Sequence, residues 1–177
     1  AQKSFIHPAT IFFGQRLPAI GRIAFRTDRT GNEEIFVLGF GGAPHRNLTN
    51  SDSDDFLASW SSDGSQLVFD TNRNGSREIF TMNSNGSQQF NITNSSSTDF
   101  FPAWSPDDRR VAFASTRQND NPDERDRDIY VVDLESTNIT RLTENDADDW
   151  WPSWSPDGTK IAFTTTRDGE AEIYVMD

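Results

Sequence analysis

Three carboxylates recur at one place in the chain: Asp55, Asp99 and Asp149 each stand five residues before a tryptophan, Trp60, Trp104 and Trp154. Asp54 and Asp148 adjoin two of them. If the three converge, the chemistry open to them is Ca²⁺ binding, since a hard cation takes carboxylate and backbone carbonyl oxygens as ligands. If they do not, each caps its own loop by accepting backbone N–H bonds, the commoner use of a loop aspartate. An apolar pair follows each Asp: Phe56-Leu57, Phe100-Phe101 and Trp150-Trp151. Successive side chains of a strand point to opposite faces, so one of each pair is expected inside and the other accessible. Phe100, Trp150 and Trp151 are therefore the candidate ligand platform. Arg29, Arg73, Arg117 and Arg167 also recur, and a repeated Arg beside repeated acids reads first as a structural ion pair.

Groups able to catalyse are sparse. The 177 residues include no cysteine, hence no thiolate nucleophile and no zinc–thiolate site. The two histidines, His7 and His45, are isolated, and His45 in "GGAPHR" reads as an exposed loop residue. No Gly-x-Ser-x-Gly elbow is present. Asp63, Asp107 and Asp157 belong to turns.

A repeat positions these residues. "IAFRTDR" from Ile23, "LVFDTNR" from Leu67, "VAFASTR" from Val111 and "IAFTTTR" from Ile161 follow at intervals of 44, 44 and 50 residues. The extra residues fall between Arg117 and Ile129, where "QNDNPDERDRD" reads as a polar loop insertion. Two further landmarks keep the register: "EIFV", "EIFT", "DIYV" and "EIYV", then "NLT", "NIT" and "RLT". Each unit reads as four short strands. "PxWS" is the first and "xIAFxTxR" the second, joined by the Ser-Pro-Asp-Gly turn, where Pro sets φ and Gly accepts a positive φ. The "EIYV" segment is the third and the Leu-Thr segment the fourth. No stretch sustains helical spacing of apolar residues.

Repeated four-stranded units of about 40–45 residues are the mark of propeller blades, which bury their faces by stacking on one another. The expected fold is all-β: a β-propeller of four four-stranded antiparallel blades, at residues 11–49, 50–93, 94–143 and 144–177 of one domain. That domain is either complete or half of a larger or dimeric ring. The tryptophans fill the space between blades, and the first strands line the channel, which would bring Asp55, Asp99 and Asp149 to its mouth. The first unit departs from the pattern: "FFGQRLPAIGRIAF" lies on "FFPAWSPDDRRVAF" with Arg16 at the tryptophan position. The last unit stops at Asp177 after its third strand, and Ser4 to His7, within residues 1–10, is expected to supply the fourth, in one chain or across a homodimer.

From Leu142 to Asp177 the pattern "LTxxxxxDxxPxWSPDGxxIAFxTxRxGxxEIYVMD" resembles the TolB-type, WD-like β-propeller repeat, and the likeness extends over about nine-tenths of the chain. The resemblance implies the fold closely and the function loosely. The same repeat serves periplasmic adaptor proteins, the propeller domains of some serine peptidases and certain polysaccharide lyases. The adaptor relatives imply a non-enzymatic scaffold that docks a protein or peptide. The alternative is a propeller domain, or a relative, of a peptidase or polysaccharide lyase, and the metal-and-base clusters of such lyases would need more convergent ligands than two isolated histidines.

The net charge of −12 repels phosphate backbones, so no nucleic-acid partner is expected. No apolar run approaches the ~20 residues that cross a bilayer, so no membrane insertion is expected. The start "AQKS" reads as the remainder of a processed secretory signal, which places the expected protein in the periplasm or outside the cell. Six Asn-x-Ser/Thr sites, at Asn47, Asn74, Asn85, Asn91, Asn94 and Asn138, largely follow the repeat and are read as repeat chemistry. No cofactor is expected beyond Ca²⁺. If Asp55, Asp99 and Asp149 form a calcium site, millimolar Ca²⁺ raises the melting temperature by mass action; an unchanged transition in calorimetry returns them to structural roles.

Overall fold

In the computed structural model, which describes residues 22–38, 44–117 and 126–177, the repeated Ser-x-Asp turns are closed by their own side chains. Ser155 Oγ donates to Asp157 Oδ1 at 2.5 Å, the Lys160 N–H donates to Ser155 Oγ at 2.9 Å, and the Gly158 N–H donates to the Ser155 carbonyl at 2.9 Å. Ser61 with Asp63 and Ser105 with Asp107 repeat the arrangement. The residue after each Asp takes a positive φ, 69° at Gly64, 57° at Asp108 and 70° at Gly158. Glycine reaches that region without a Cβ clash, and Asp tolerates it.

Hairpins built on these turns give four antiparallel sheets. The first holds β1 (Ile23–Thr27), β2 (Glu34–Leu38) and β3 (Arg46–Asn47). The second holds β4 (Asp55–Trp60), β5 (Gln66–Asn74), β6 (Ser76–Asn83) and β7 (Phe90–Asn91). The third holds β8 (Asp99–Trp104), β9 (Arg110–Ser115), β10 (Asp128–Asp133) and β11 (Ile139–Arg141). The fourth holds β12 (Asp149–Trp154), β13 (Ile161–Thr165) and β14 (Glu172–Met176). Each strand pairs with its sequence neighbours, so every sheet is a simple meander. The fold is an all-β propeller arc. Four strands per blade hold in the second and third sheets, while the fourth has three; the first blade's leading strand with Arg16, and the proposed closing strand Ser4 to His7, lie outside the described residues. Among the described residues no helix is long and apolar enough to cross a membrane.

The alternation of side chains on each second strand decides how the sheets stack. Leu67 and Phe69 of β5 face the first sheet and pack with Ile35, Val37 and Leu48. Val68, one residue over, faces the third sheet and packs with Trp104, Val111 and Phe113. In β9 the same rule puts Val111 and Phe113 toward the second sheet, and the small Ala112 and Ala114 toward Ile161 and Phe163 of the fourth. Large thus meets small across each seam. The first and fourth sheets do not share a cluster, so among the described residues the blades form an open arc rather than a closed ring.

Trp104 is almost fully buried between the second and third sheets, against Val68 and Ile79. Trp60 and Trp154 take the corresponding, partly buried places at the neighbouring seams. Replacing Trp104 by Ala is expected to cost ~3–5 kcal/mol, because the seam on both sides is held in rigid strands and cannot collapse into the cavity. Urea unfolding measures this, and a loss below about 1 kcal/mol would show that the residue does not fill the seam.

Candidate functional site

The hairpin register explains where the repeated aspartates go. Asp55 lies opposite Thr71, Asp99 opposite Ser115 and Asp149 opposite Thr165. Two residues further on stands the repeated arginine, which therefore folds back onto the carboxylate of its own blade. Arg73 Nη2 donates to Asp55 Oδ1 at 2.8 Å, Arg117 Nη2 to both Asp99 oxygens at 3.0 Å, and Arg167 Nη2 to Asp149 Oδ2 at 3.4 Å. All three carboxylates are fully buried. The Nε of each Arg donates to the Thr or Ser two residues before it. The guanidinium then lies over two rings: Phe69 and Phe80 for Arg73, Phe113 and Tyr130 for Arg117, Phe163 and Tyr174 for Arg167. Arg29 keeps the ring contacts, over Phe25 and Phe36, but the residue at the aspartate position of its repeat is Ile11.

Each of the three aspartates is thus engaged by the arginine of its own blade. Among the described residues no three His, Cys, Asp or Glu side chains form a group of metal-binding size. Asp149 Oδ2 also accepts a hydrogen bond from Asn145 Nδ2 at 2.8 Å, within the loop that leads to it. Backbone N–H groups go to the neighbouring acids: Asp54 Oδ1 accepts the Glu33 N–H at 3.1 Å and Asp148 Oδ1 the Arg127 N–H at 3.2 Å, each tying a blade to the one before it. Burial pushes the Asp55 and Asp99 carboxyls up from the ordinary range, against the hydrogen bonds and arginine charge that pull them down.

The aromatic pairs do converge. Between the first and second strands the ladder slips by one residue, between Asp55 and Ala58, Phe100 and Ala103, and Trp150 and Ser153. This bulge breaks the strict alternation expected for the pairs. Phe101 and Trp151 sit at its bend with φ of 56° and 53°. A bulky residue at positive φ is strained, and the surrounding packing must hold it there. Phe100 stacks on Phe101 at 5.6 Å, and Phe101 meets the edge of Trp151 at 5.5 Å. Phe101 and Trp150 also pack on the Ala114, Ile129 and Phe163 cluster. Trp151 is 46% exposed, the other three rings being half-buried.

Arg127 joins this cluster and was not among the sequence candidates. Its guanidinium lies 5.7 Å from the Phe100 ring, 5.8 Å from Phe101 and 5.2 Å from Trp150, and its Nε donates to Asp148 Oδ1 at 2.6 Å. Arg77 does the same one blade earlier, 3.7 Å from Phe56 and 4.8 Å from Phe100. The signal was present in the matched places of Arg77 and Arg127, each two residues before the isoleucine of a third strand. His45 is exposed and touches the Phe25 ring edge-on at 5.5 Å, away from these residues.

Two consequences are measurable. Replacing Arg117 by Ala leaves Asp99 buried without its counter-charge and is expected to cost ~3–5 kcal/mol, with Arg117→Lys falling between the two, as urea unfolding would read. Asp70 is fully buried against Arg77, and burial pushes its carboxyl up to about 6 despite that arginine. A carboxyl whose folded pKa is raised binds its proton more tightly in the folded state, so its contribution is fully favourable below about pH 4 and is lost as pH rises through about 6. Asp70→Asn should therefore flatten the fall in unfolding free energy between those pH values; an unchanged slope would contradict it.

No curated protein matches the sequence. Among solved structures, a TolB from Agrobacterium tumefaciens superposes with a TM-score of 0.77 at 22% identity, over 88% of this chain and 57% of that one. TolB from Acinetobacter baumannii gives 0.72 at 22% identity, over 88% and 38%. An oligogalacturonate lyase from Vibrio parahaemolyticus gives 0.67 at 13%, over 86% and 45%. The chain therefore spans 57% and 38% of the lengths of the two TolB proteins, and the likeness is one of fold. The TolB beta propeller domain profile matches residues 16–121 and 88–177. With four meandering sheets stacked in series and that profile running from residue 16 to the last, the chain belongs to the TolB β-propeller domain family.

Proposed function

We propose that the chain is a non-enzymatic binding scaffold that docks a protein or peptide through the cluster of Phe100, Phe101, Trp150 and Trp151. The observation that carries this reading is Trp151: a large aromatic at φ 53°, presented 46% exposed at the bulge of a first strand. Strained backbone that keeps an apolar ring in water is a feature of binding surfaces, and Trp is the side chain most often found as an anchor there. Phe101 meets the edge of this ring and is itself held under Arg127, so the ring is pre-set and little freedom is lost on binding. The repeated carboxylates and arginines are occupied with one another, which leaves an aromatic surface and no reacting pair at this place. A periplasmic or extracellular protein partner is in keeping with the TolB-type fold and the acidic charge.

The test is to pan a random peptide phage library on the purified protein and to measure the selected peptides on the wild type and on Trp151→Ala. Loss of an interface anchor costs about 2 kcal/mol or more, so the variant should bind roughly thirtyfold more weakly while melting at the wild-type temperature. Peptides indifferent to Trp151, or turnover of peptide or oligogalacturonate substrates by the purified chain, would overturn the reading.

A further inference from the structure

The tripeptide Asn-Gly-Ser stands at Asn74-Gly75-Ser76 and again at Asn85-Gly86-Ser87, and the two copies meet different surroundings. Both asparagines are exposed. An asparagine before glycine carries a latent reaction with its own backbone, because the next peptide nitrogen can attack the side-chain carbonyl carbon with no Cβ in the way. How the reacting groups are held decides whether it does.

Asn74 is held against the reaction. It lies in the β5–β6 ladder opposite Ser76, and its Nδ2, the atom that would leave, donates to Glu78 Oε2 at 2.9 Å. Glu78 is buried, so negative charge that builds on the Asn74 side chain is opposed at short range.

Asn85 is held for it. Its Oδ1 accepts the Ser87 N–H at 2.9 Å and the Ser87 hydroxyl at 2.5 Å, two donors on the oxygen where charge develops when Cγ is attacked. From the first blade, Arg46 Nη2 donates to the Asn85 main-chain carbonyl. That carbonyl shares a peptide group with the Gly86 nitrogen, so the guanidinium charge makes the nitrogen's proton easier to lose. The Gly86 N–H donates to the Asn83 carbonyl at 2.8 Å and keeps the turn closed around the pair.

The packing also demands the glycine. Gly86 has a φ of 80°, and a Cβ there would stand 2.4 Å from the Leu48 carbonyl oxygen of the first blade. Its carbonyl accepts Gln89 Nε2 at 3.1 Å, and the same Nε2 donates to the Leu48 and Thr49 carbonyls at 3.2 and 3.1 Å. Seating the turn on the first blade thus requires the residue that leaves Asn85 most open to attack. At Gly75, by contrast, a Cβ would meet nothing within 4 Å.

We propose that Asn85 is a self-modification site, which cyclises with Gly86 and opens to aspartate or isoaspartate, and that the isoaspartate form loosens the seam between the first and second blades. The Gly86 nitrogen attacks Asn85 Cγ; the N–Cγ bond forms, the Cγ–Nδ2 bond breaks, and ammonia leaves with the proton that Gly86 gives up. Water then opens the succinimide ring. Breaking the bond from the Gly86 nitrogen to Cγ leaves aspartate in the ordinary chain, whereas breaking its bond to the main-chain carbonyl carbon leaves isoaspartate, with the chain running through Cβ and Cγ and longer by one atom. Gly86 has no slack against Leu48, so the longer turn cannot keep both that contact and the Gln89 bonds to the first blade. Aspartate has the shape of asparagine, keeps the turn, and places a carboxylate beside Arg46.

The test incubates the full chain at mildly alkaline pH, native and unfolded in urea, and follows both sites by tryptic mapping, which separates them at Arg77. In the native chain Asn85 should react roughly tenfold or more faster than Asn74, with the ratio falling toward equality in urea, where both copies lose their surroundings. Arg46→Ala and Ser87→Ala change exposed side chains and should each slow the native reaction at Asn85 about three- to tenfold, the loss of one hydrogen bond. The isoaspartate form, separated by chromatography, should melt below the Asn85→Asp protein. Equal native rates, a ratio that survives in urea, variants that react as fast as the wild type, or an isoaspartate form that melts with the Asn85→Asp protein would overturn the proposal.

Discussion

A four-stranded meander has two apolar faces and cannot bury either by itself, so each sheet of this chain depends on the sheet before it and the sheet after it. The second strand of each blade carries that dependence. Its odd positions, such as Leu67 and Phe69 or Val111 and Phe113, hold large side chains that face backward, and its even positions, Val68 or Ala112 and Ala114, hold smaller ones that face forward. Each seam thus joins a bulky face to a slim one, which sets both the order and the direction of stacking. The interior sheets are covered on both sides. Among the described residues, Ile23 of the first sheet and Ile173 and Val175 of the fourth are exposed, whereas their counterparts in the interior sheets are buried.

Polar chemistry follows from the same geometry. In the second, third and fourth blades the arginine after the second strand lies over two large rings of its own blade while its fork takes the aspartate of the first strand. The buried carboxylate is tolerable only because that fork is rigid and near, and the fork is rigid because the rings hold it. The repeated carboxylates are engaged in this way as fasteners within each blade, and the aromatic residues beside them are the more accessible groups.

Much of this was legible in the sequence because the repeat is nearly free of gaps. The Ser-x-Asp turn placed the first hairpins, and the Ile-x-Phe and Leu-Thr landmarks placed the second to fourth strands close to where β5 to β7 and β9 to β11 lie. Three features were beyond it. Strict alternation assigned opposite faces to Phe100-Phe101 and Trp150-Trp151, whereas the ladder slips there, and two adjacent aromatics carry no mark of a bulge. The pairing of Asp99 with Arg117 needed the hairpin register, since residues 18 apart meet only once Asp99 is set opposite Ser115. Arg127 fell inside the segment "QNDNPDERDRD" read as a polar loop insertion, so its match with Arg77 two residues before the third-strand isoleucine went unread.

If stacking between sheets is what holds the arc, stability must be graded along the chain. Native-state hydrogen exchange reads that grading directly, because amides that open only on global unfolding exchange far more slowly than those freed by local opening. The account predicts that the paired amides of β5, β6, β9 and β10, covered on both faces, share the highest protection, and that those joining β13 to β14 exchange much faster through local release of the last sheet. Equal protection across all four sheets would contradict it, showing that each blade is held by its own contacts rather than by its neighbours.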